Sequence, residues 1–190
     1  MLFFGSNTAV GYINADADLL DVLLARIAAS DTEALSELYS TTGISVYGFA
    51  LSILKNRQDA EDVLHDCFLS IYSAADRYRS CGKPMAWIIT IAKNLCLAKL
   101  RDRQRCGAAS LEEYDLSTAA ANPEDRLTLE ACMKLLTDQE RQIVMLHAVS
   151  GMKHREIAQI LSVPLATVLS KYSRAIKKLK HHFMKGEQEE

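Results

Sequence analysis

The stretch EIAQILSVPLATVLSKYSRAIKKL, from Glu156 to Leu179, reads as two helices joined by a tight turn at Ser162-Val163-Pro164. On the second helix Val168, Tyr172, Ala175, Ile176, Leu179 and Phe183 recur at helical spacing as an inward face. Thr167, Lys171, Arg174 and Lys178 share an arc roughly 60–120° away, at about 100° per residue. Ala158 and Val168, on either side of the turn, supply the small and branched pair that two closely crossed helices need. Pro164 opens the second helix where its missing N–H costs little. Such a helix suits a DNA major groove, with Leu165, Thr167, Ser170 and Lys171 toward base edges and Arg174 and Lys178 toward phosphates. Arg155 adds a cation on the preceding helix. The plain alternative is a helical hairpin with a solvated basic face.

Charge favours the DNA reading. Between Arg141 and Lys185 the bases are Arg141, Lys153, Arg155, Lys171, Arg174, Lys177, Lys178, Lys180 and Lys185, against the single acid Glu156. The net charge of −2 therefore hides an asymmetry, because the acids gather early (Asp16 to Asp66), around Glu112–Asp115 and in the GEQEE tail. A basic module on a more acidic body points to one surface for a polyanion and another for a protein.

With 190 residues, 49% of them hydrophobic, the chain can build one mid-sized domain or two small ones. Only 8 glycines and 3 prolines are present and strand-like alternation is nearly absent, so an all-α fold is expected. Five cysteines without a Cys-x-x-Cys pair or zinc-like histidine spacing indicate a reduced, cytoplasmic protein with no metal and no cofactor. The opening MLFFGSNTAVGYIN lacks the basic residues and long apolar core of a signal peptide or membrane span.

Periodicity predicts helices at about 16–29, 31–54, 58–76 and 84–103, then 124–135, 138–149, 153–161 and 165–183, with a kink or break near Thr41-Thr42-Gly43. Between Cys106 and Asn122 the pattern lapses, and it restarts at Pro123-Glu124-Asp125. This divides the chain into an extension (1–15), an N-terminal domain (16–105), a linker (106–122), a C-terminal domain (123–185) and an acidic tail (186–190). In the third helix Ala60, Val63, Leu64, Cys67, Phe68 and Ile71 make the burying stripe, and Asp59, Asp62 and Asp66 lie on a narrow arc beside it. Those acids are either a solvated face or a docking site for a basic partner. In the fourth helix Trp87, Ile91, Leu95 and Ala98 form the apolar repeat, with Lys93, Asn94 and Arg101 elsewhere around the axis. Arg77, Tyr78, Arg79 and Lys83 just upstream mix cations with an aromatic, as capture of unpaired bases requires. The alternative makes Trp87 core and the charges solvation.

Taken together, these segments resemble the sigma factors of bacterial RNA polymerase, specifically the extracytoplasmic-function (ECF) type. ALSELY (Ala34–Tyr39) resembles the start of region 2. DAEDVLHDCF (Asp59–Phe68) resembles the motif that docks on the polymerase β′ clamp helices, implying Asp59, Asp62, His65 and Asp66 as polymerase contacts. WIITIAKN (Trp87–Asn94) with Arg101 resembles the motif that opens and holds the −10 element. The implied −10 set is Arg77, Tyr78, Arg79, Lys83, Trp87, Lys93, Asn94 and Arg101. NPEDRL (Asn122–Leu127) resembles the entry to region 4, and LTDQERQIVML with the helix-turn-helix resembles the −35 reader. The implied −35 set is Arg155, Leu165, Thr167, Ser170, Lys171, Arg174 and Lys178. The resemblance implies a non-enzymatic, cytoplasmic initiation factor without membrane insertion. Its partners would be core polymerase (β′ clamp helices and β flap), promoter DNA and an anti-sigma protein. Against the family pattern, His65-Asp66 replace Gln-Glu, Ala98 replaces Asp and Ser162 replaces a turn glycine. Leu169 replaces a DNA-facing cation, and Lys171 replaces an Arg whose guanine fork it cannot make. Two rivals from other classes are a stand-alone helix-turn-helix repressor or activator, and a thiol sensor or enzyme built on His65, Cys67 and Cys96.

Overall fold

A computed structural model describes residues 17–105 and 135–186, with side chains as far as His182. Among the described residues the regular structure is entirely helical. The elements are α1 (Ala17–Ala28), α2 (Thr32–Leu54), α3 (Arg57–Ala74), a 3-10 turn (Ala75–Arg77), α4 (Pro84–Arg105), α5 (Asp138–Val144), α6 (His154–Leu161) and α7 (Leu165–Gly186). The helix expected at 124–135 and the linker at 106–122 lie outside the described residues, apart from Leu135 itself.

Local chemistry sets the helix ends. Asp31 caps α2 by accepting from the backbone N–H of Glu33 at 2.9 Å and Ala34 at 3.2 Å. The Ala34 N–H and the Arg26 guanidinium hold its carboxyl below the usual range. Asn56 caps α3 through Asp59 N–H at 2.8 Å. Thr137 and Glu140 form a reciprocal capping box at the start of α5. Ser162 ends α6 at φ 56°, and Val163 N–H reaches back to the Ala158 carbonyl at 3.0 Å, closing a Schellman-type turn. The position calls for the glycine that the sequence lacks.

Three expectations are corrected. No break occurs at Thr41-Thr42-Gly43, and α2 runs as one helix through Gly43. The Thr41 and Thr42 hydroxyls donate to the Glu37 and Leu38 carbonyls one turn back, both at 2.8 Å, within that continuous helix. The buried line of α4 is Ile88, Ile89, Ala92 and Cys96, and Trp87, Ile91 and Leu95 pack half-buried at its flank. A run apolar nearly all round has no polar arc to orient it, so its neighbours choose the inner face. The expected 138–149 helix changes at Met145–Val149 into a π-helical turn.

The N-terminal bundle buries Leu20, Leu23, Leu24 and Ile27 of α1 with Leu38, Val46 and Phe49 of α2, Cys67, Phe68 and Ile71 of α3, and Ile88, Ile89 and Ala92 of α4. The same core continues into the C-terminal helices through Ile143, Leu146, Ile157 and Val168. Several contacts seat the C-terminal helices on α2 and α4. Met145 lies over Gly48 of α2, where a Cβ would collide with its Cε. Lys55 pairs with Asp138 at 2.9 Å. The Lys93 ammonium donates to the Ile160 carbonyl at the end of α6.

A stacked cluster joins the C-terminal helices. The rings of His147 and His154 lie 4.2 Å apart, and Tyr172 of α7 meets them edge-on at 4.8 and 4.9 Å. His147 Nδ1–H donates to the Met152 carbonyl at 2.8 Å. Burial, and then the neighbouring His147, push the His154 pKa below its ordinary value of 6.5. The folded state thus binds fewer protons than the unfolded chain, so this contribution is complete above about pH 6.5 and is lost as pH falls through the lowered value. Burial works against the Glu140 carboxylate, but Lys178 and Thr137 hold its pKa below the usual range, which adds a second loss at lower pH. Acidification from pH 7 to 5 is expected to lower the melting temperature, and His154→Phe should flatten that dependence. An equal slope in both proteins would remove His154 as its source.

Candidate functional site

The acidic arc of α3 divides in two. Asp62, His65 and Asp66 are exposed on its outer side. Asp59 faces α4, where its side chain is 16% exposed and pairs with Lys99 at 3.1 Å and closely with Arg103. Lys99 also bonds Asp62 at 2.5 Å. Burial opposes the Lys99 charge, yet the two carboxylates raise its pKa. Asp59 therefore braces α3 against α4 and leaves Asp62 and Asp66 as the acids available to a partner. Asp59→Ala removes the carboxylate shared by two partly exposed cations and is expected to cost about 1–2 kcal/mol of stability, well under the value for broken buried pairs because both cations reach solvent and Lys99 keeps Asp62. Urea denaturation measures it. A loss below about 0.5 kcal/mol, the range of ordinary surface changes, would contradict the brace.

The loop between α3 and α4 carries Arg77, Arg79 and Lys83, all exposed. Tyr78 holds that loop in place. Its hydroxyl donates to Asp21 of α1 at 2.5 Å and its ring lies 4.9 Å from that of Trp87. Burial, with the Asp21 carboxylate, lifts the phenol well above its ordinary range. Ser80 donates to the same Asp21. Trp87, Asn94 and Arg101 follow one line down α4 at seven-residue intervals, about 10 Å per step. Asn94 and Arg101 are exposed, and Lys93 is turned toward Ile160. The structure thus holds the cation-bearing loop against Trp87 through Tyr78, sets Asn94 and Arg101 further along α4, and uses Tyr78 and Lys93 in internal contacts.

On α7 the fully buried residues are Val168 and Ala175. Opposite them stand exposed Ala166, Leu169, Ser170, Ser173, Arg174 and Lys177. Thr167, Lys171 and Leu165 are half-buried on its flanks, and Arg155 is exposed on α6. Lys178 is committed to Glu140 at 2.7 Å, a carboxylate only 5% exposed, and ties α7 to the start of α5. Ser173 and Lys177 lie outside the expected DNA-facing set, and Leu169 enters it only as the replacement for a cation. The point 180° from Val168 and Ala175 on a helical wheel would have found Ser170, Ser173 and Lys177. Among the described residues no cluster of His, Cys, Asp and Glu could hold a metal ion. Cys67 and Cys96 face the core, where burial pushes both thiols up to about 12 and keeps them protonated.

The sequence matches the family model of sigma-70 region 2 over residues 38–106 and that of sigma-70 region 4 over residues 126–179. The chain belongs to the sigma-70 family. Its similarity to that family's ECF members runs nearly end to end. The ECF RNA polymerase sigma factor SigK of Mycobacterium sp. (strain KMS) is 29% identical over 175 residues, covering 85% of this chain and 89% of the relative. SigK of Mycobacterium bovis is 28% identical over 172 residues, covering 85% and 92%. Two solved structures share the fold. CnrH in complex with the cytosolic domain of CnrY has a TM-score of 0.60 at 23% identity, covering 87% of this chain and 97% of that one. RpoE in complex with the anti-sigma factor NepR from Bartonella quintana has a TM-score of 0.65 at 21% identity, covering 77% and 94%. No described helix is long and apolar enough to cross a membrane.

Proposed function

We propose that this sigma-70 family chain is a transcription-initiation factor of the ECF type, which binds core RNA polymerase and directs it to promoters carrying −35 and −10 elements. The observation that carries the reading is the pairing, in order, of a region 2 match bearing an exposed acid arc with a region 4 match bearing an exposed basic helix. In this reading residues 16–105 form the polymerase-binding and −10 domain, 106–122 the linker and 123–185 the −35 domain. Asp62, His65 and Asp66 meet the polymerase clamp. Arg77, Arg79, Lys83, Trp87, Asn94 and Arg101 hold the opened −10 strand. Arg155, Ser170, Arg174 and the exposed Ser173 and Lys177 meet the −35 duplex. The protein works in the cytoplasm by binding, without catalysis of its own. An anti-sigma protein, of the kind seen with RpoE, restrains it. A stand-alone repressor would leave the region 2 match and the acid arc without a role.

The reading requires a change of arrangement. Elements centred 25 base pairs apart are separated by about 85 Å at about 3.4 Å per pair. A compact body of this size has a radius of gyration of roughly 15 Å. The packed arrangement of α5–α7 on α2 and α4 is therefore the unbound form, and promoter binding must part the two units. Adding the purified chain to core polymerase tests the whole reading. Promoter-dependent transcripts from a library template support it, and failure to bind core enzyme overturns it.

A further inference from the structure

The face that α7 turns to solvent has an unusual chemistry for a helix in so basic a segment. Its residues nearest the turn are Ala166, Leu169, Ser170 and Ser173, with Arg174 and Lys177 behind them. Two of the polar groups are already engaged. The Ser170 hydroxyl donates to the Thr167 carbonyl at 3.0 Å. The Arg174 guanidinium folds back onto Ser170, with Nε 3.3 Å from the carbonyl and Nη2 3.4 Å from the hydroxyl. Leu169 stands beside them 48% exposed, in the second turn of the helix and on the side away from Val168 and Ala175. The N-terminal turns of the second helix are the part of a helix-turn-helix that reaches base edges. What Leu169 offers there is a branched apolar surface, with Leu165, Ala166, Tyr172 and Ser173 one turn away and Arg174 on the opposite flank of the same exposed face.

The major groove presents one apolar group, the C5-methyl of thymine. The region 4 match and the basic segment that carries α7 select duplex DNA as the occupant of this face, and the leucine selects a methyl within it. We propose that Leu169 is a specificity-determining residue that reads a thymine methyl in the −35 duplex. The inference rests on the sigma reading above and adds a base preference to it. Recognition at this position is then by apolar contact, with no hydrogen-bond fork to guanine.

The test uses holoenzyme reconstituted from the full chain and core polymerase. Selection on a promoter library randomised through the −35 element is expected to show one position preferring thymine, on either strand. At that position deoxyuridine, which lacks only the methyl, should weaken wild-type binding about four-fold, the effect of withdrawing one buried carbon. Leu169→Ala should bind the two bases equally and lose the preference, and Leu169→Arg should shift it toward guanine. Because Leu169 is exposed, circular dichroism of the variants should match wild type. A holoenzyme that binds the −35 element but treats thymine and deoxyuridine alike overturns this inference and leaves the sigma reading standing. An equal deoxyuridine penalty in wild type and Leu169→Ala assigns the methyl to another residue and also overturns it. A chain that forms no holoenzyme overturns both.

Discussion

Asp62→Lys combined with Asp66→Lys is expected to abolish binding to core RNA polymerase while leaving the fold intact. The two carboxylates occupy adjacent turns of the exposed side of α3, so the double change turns two negative charges into two positive ones on one docking face. Like charges brought together at an interface cost several kcal/mol, enough to lose a complex of ordinary affinity. The fold should survive because both positions are exposed, where substitutions usually shift stability by less than about 0.5 kcal/mol. Lys99 gives up Asp62 but keeps Asp59. Asp59 is excluded from the test because its loss would unseat α4, and a misfolded bundle would imitate a docking defect. Fluorescence anisotropy against labelled core enzyme, with thermal melting alongside, reads both outcomes. Wild-type affinity in the double variant would remove this face from the polymerase interface.

Locking the packed arrangement is expected to silence promoter-directed transcription. Lys55 at the end of α2 and Asp138 at the start of α5 form an ion pair across the two units. In a background carrying Cys81→Ser, Cys106→Ser and Cys132→Ser, the variants Lys55→Cys and Asp138→Cys can be joined by a short bis-methanethiosulfonate. The bridge holds the two reading surfaces within one compact body, far short of the roughly 85 Å between the elements. Transcription should fall to the level of the unlinked fraction and return when reductant cuts the bridge. Core binding through Asp62 and Asp66 should persist throughout, since the C-terminal helices sit on α2 and α4 and leave both carboxylates exposed. Full transcription by the linked protein would show that the packed form is already competent.

Much of this molecule was legible in its sequence, because helices report themselves through local chemistry. The caps at Asp31, Asn56 and Thr137, the turn at Ser162–Pro164 and the stripe from Ala60 to Ile71 depend on neighbours within a few residues, and each lies where periodicity put it. The charge asymmetry is a property of residue order along the chain and needs no fold. Tertiary packing decided the rest. The acids of the DAEDVLHDCF motif look equivalent in sequence, and only the approach of Lys99 and Arg103 from α4 turns Asp59 inward. Tyr78 reads as a stacking surface until Asp21, 57 residues away, claims its hydroxyl. Lys178 reads as a phosphate contact until Glu140 takes it. In each case the direction the side chain takes is set by a partner distant in the chain. The seating of α5–α7 on α2 and α4 is of the same kind. Its contacts join residues on either side of the linker, so no local pattern encodes it.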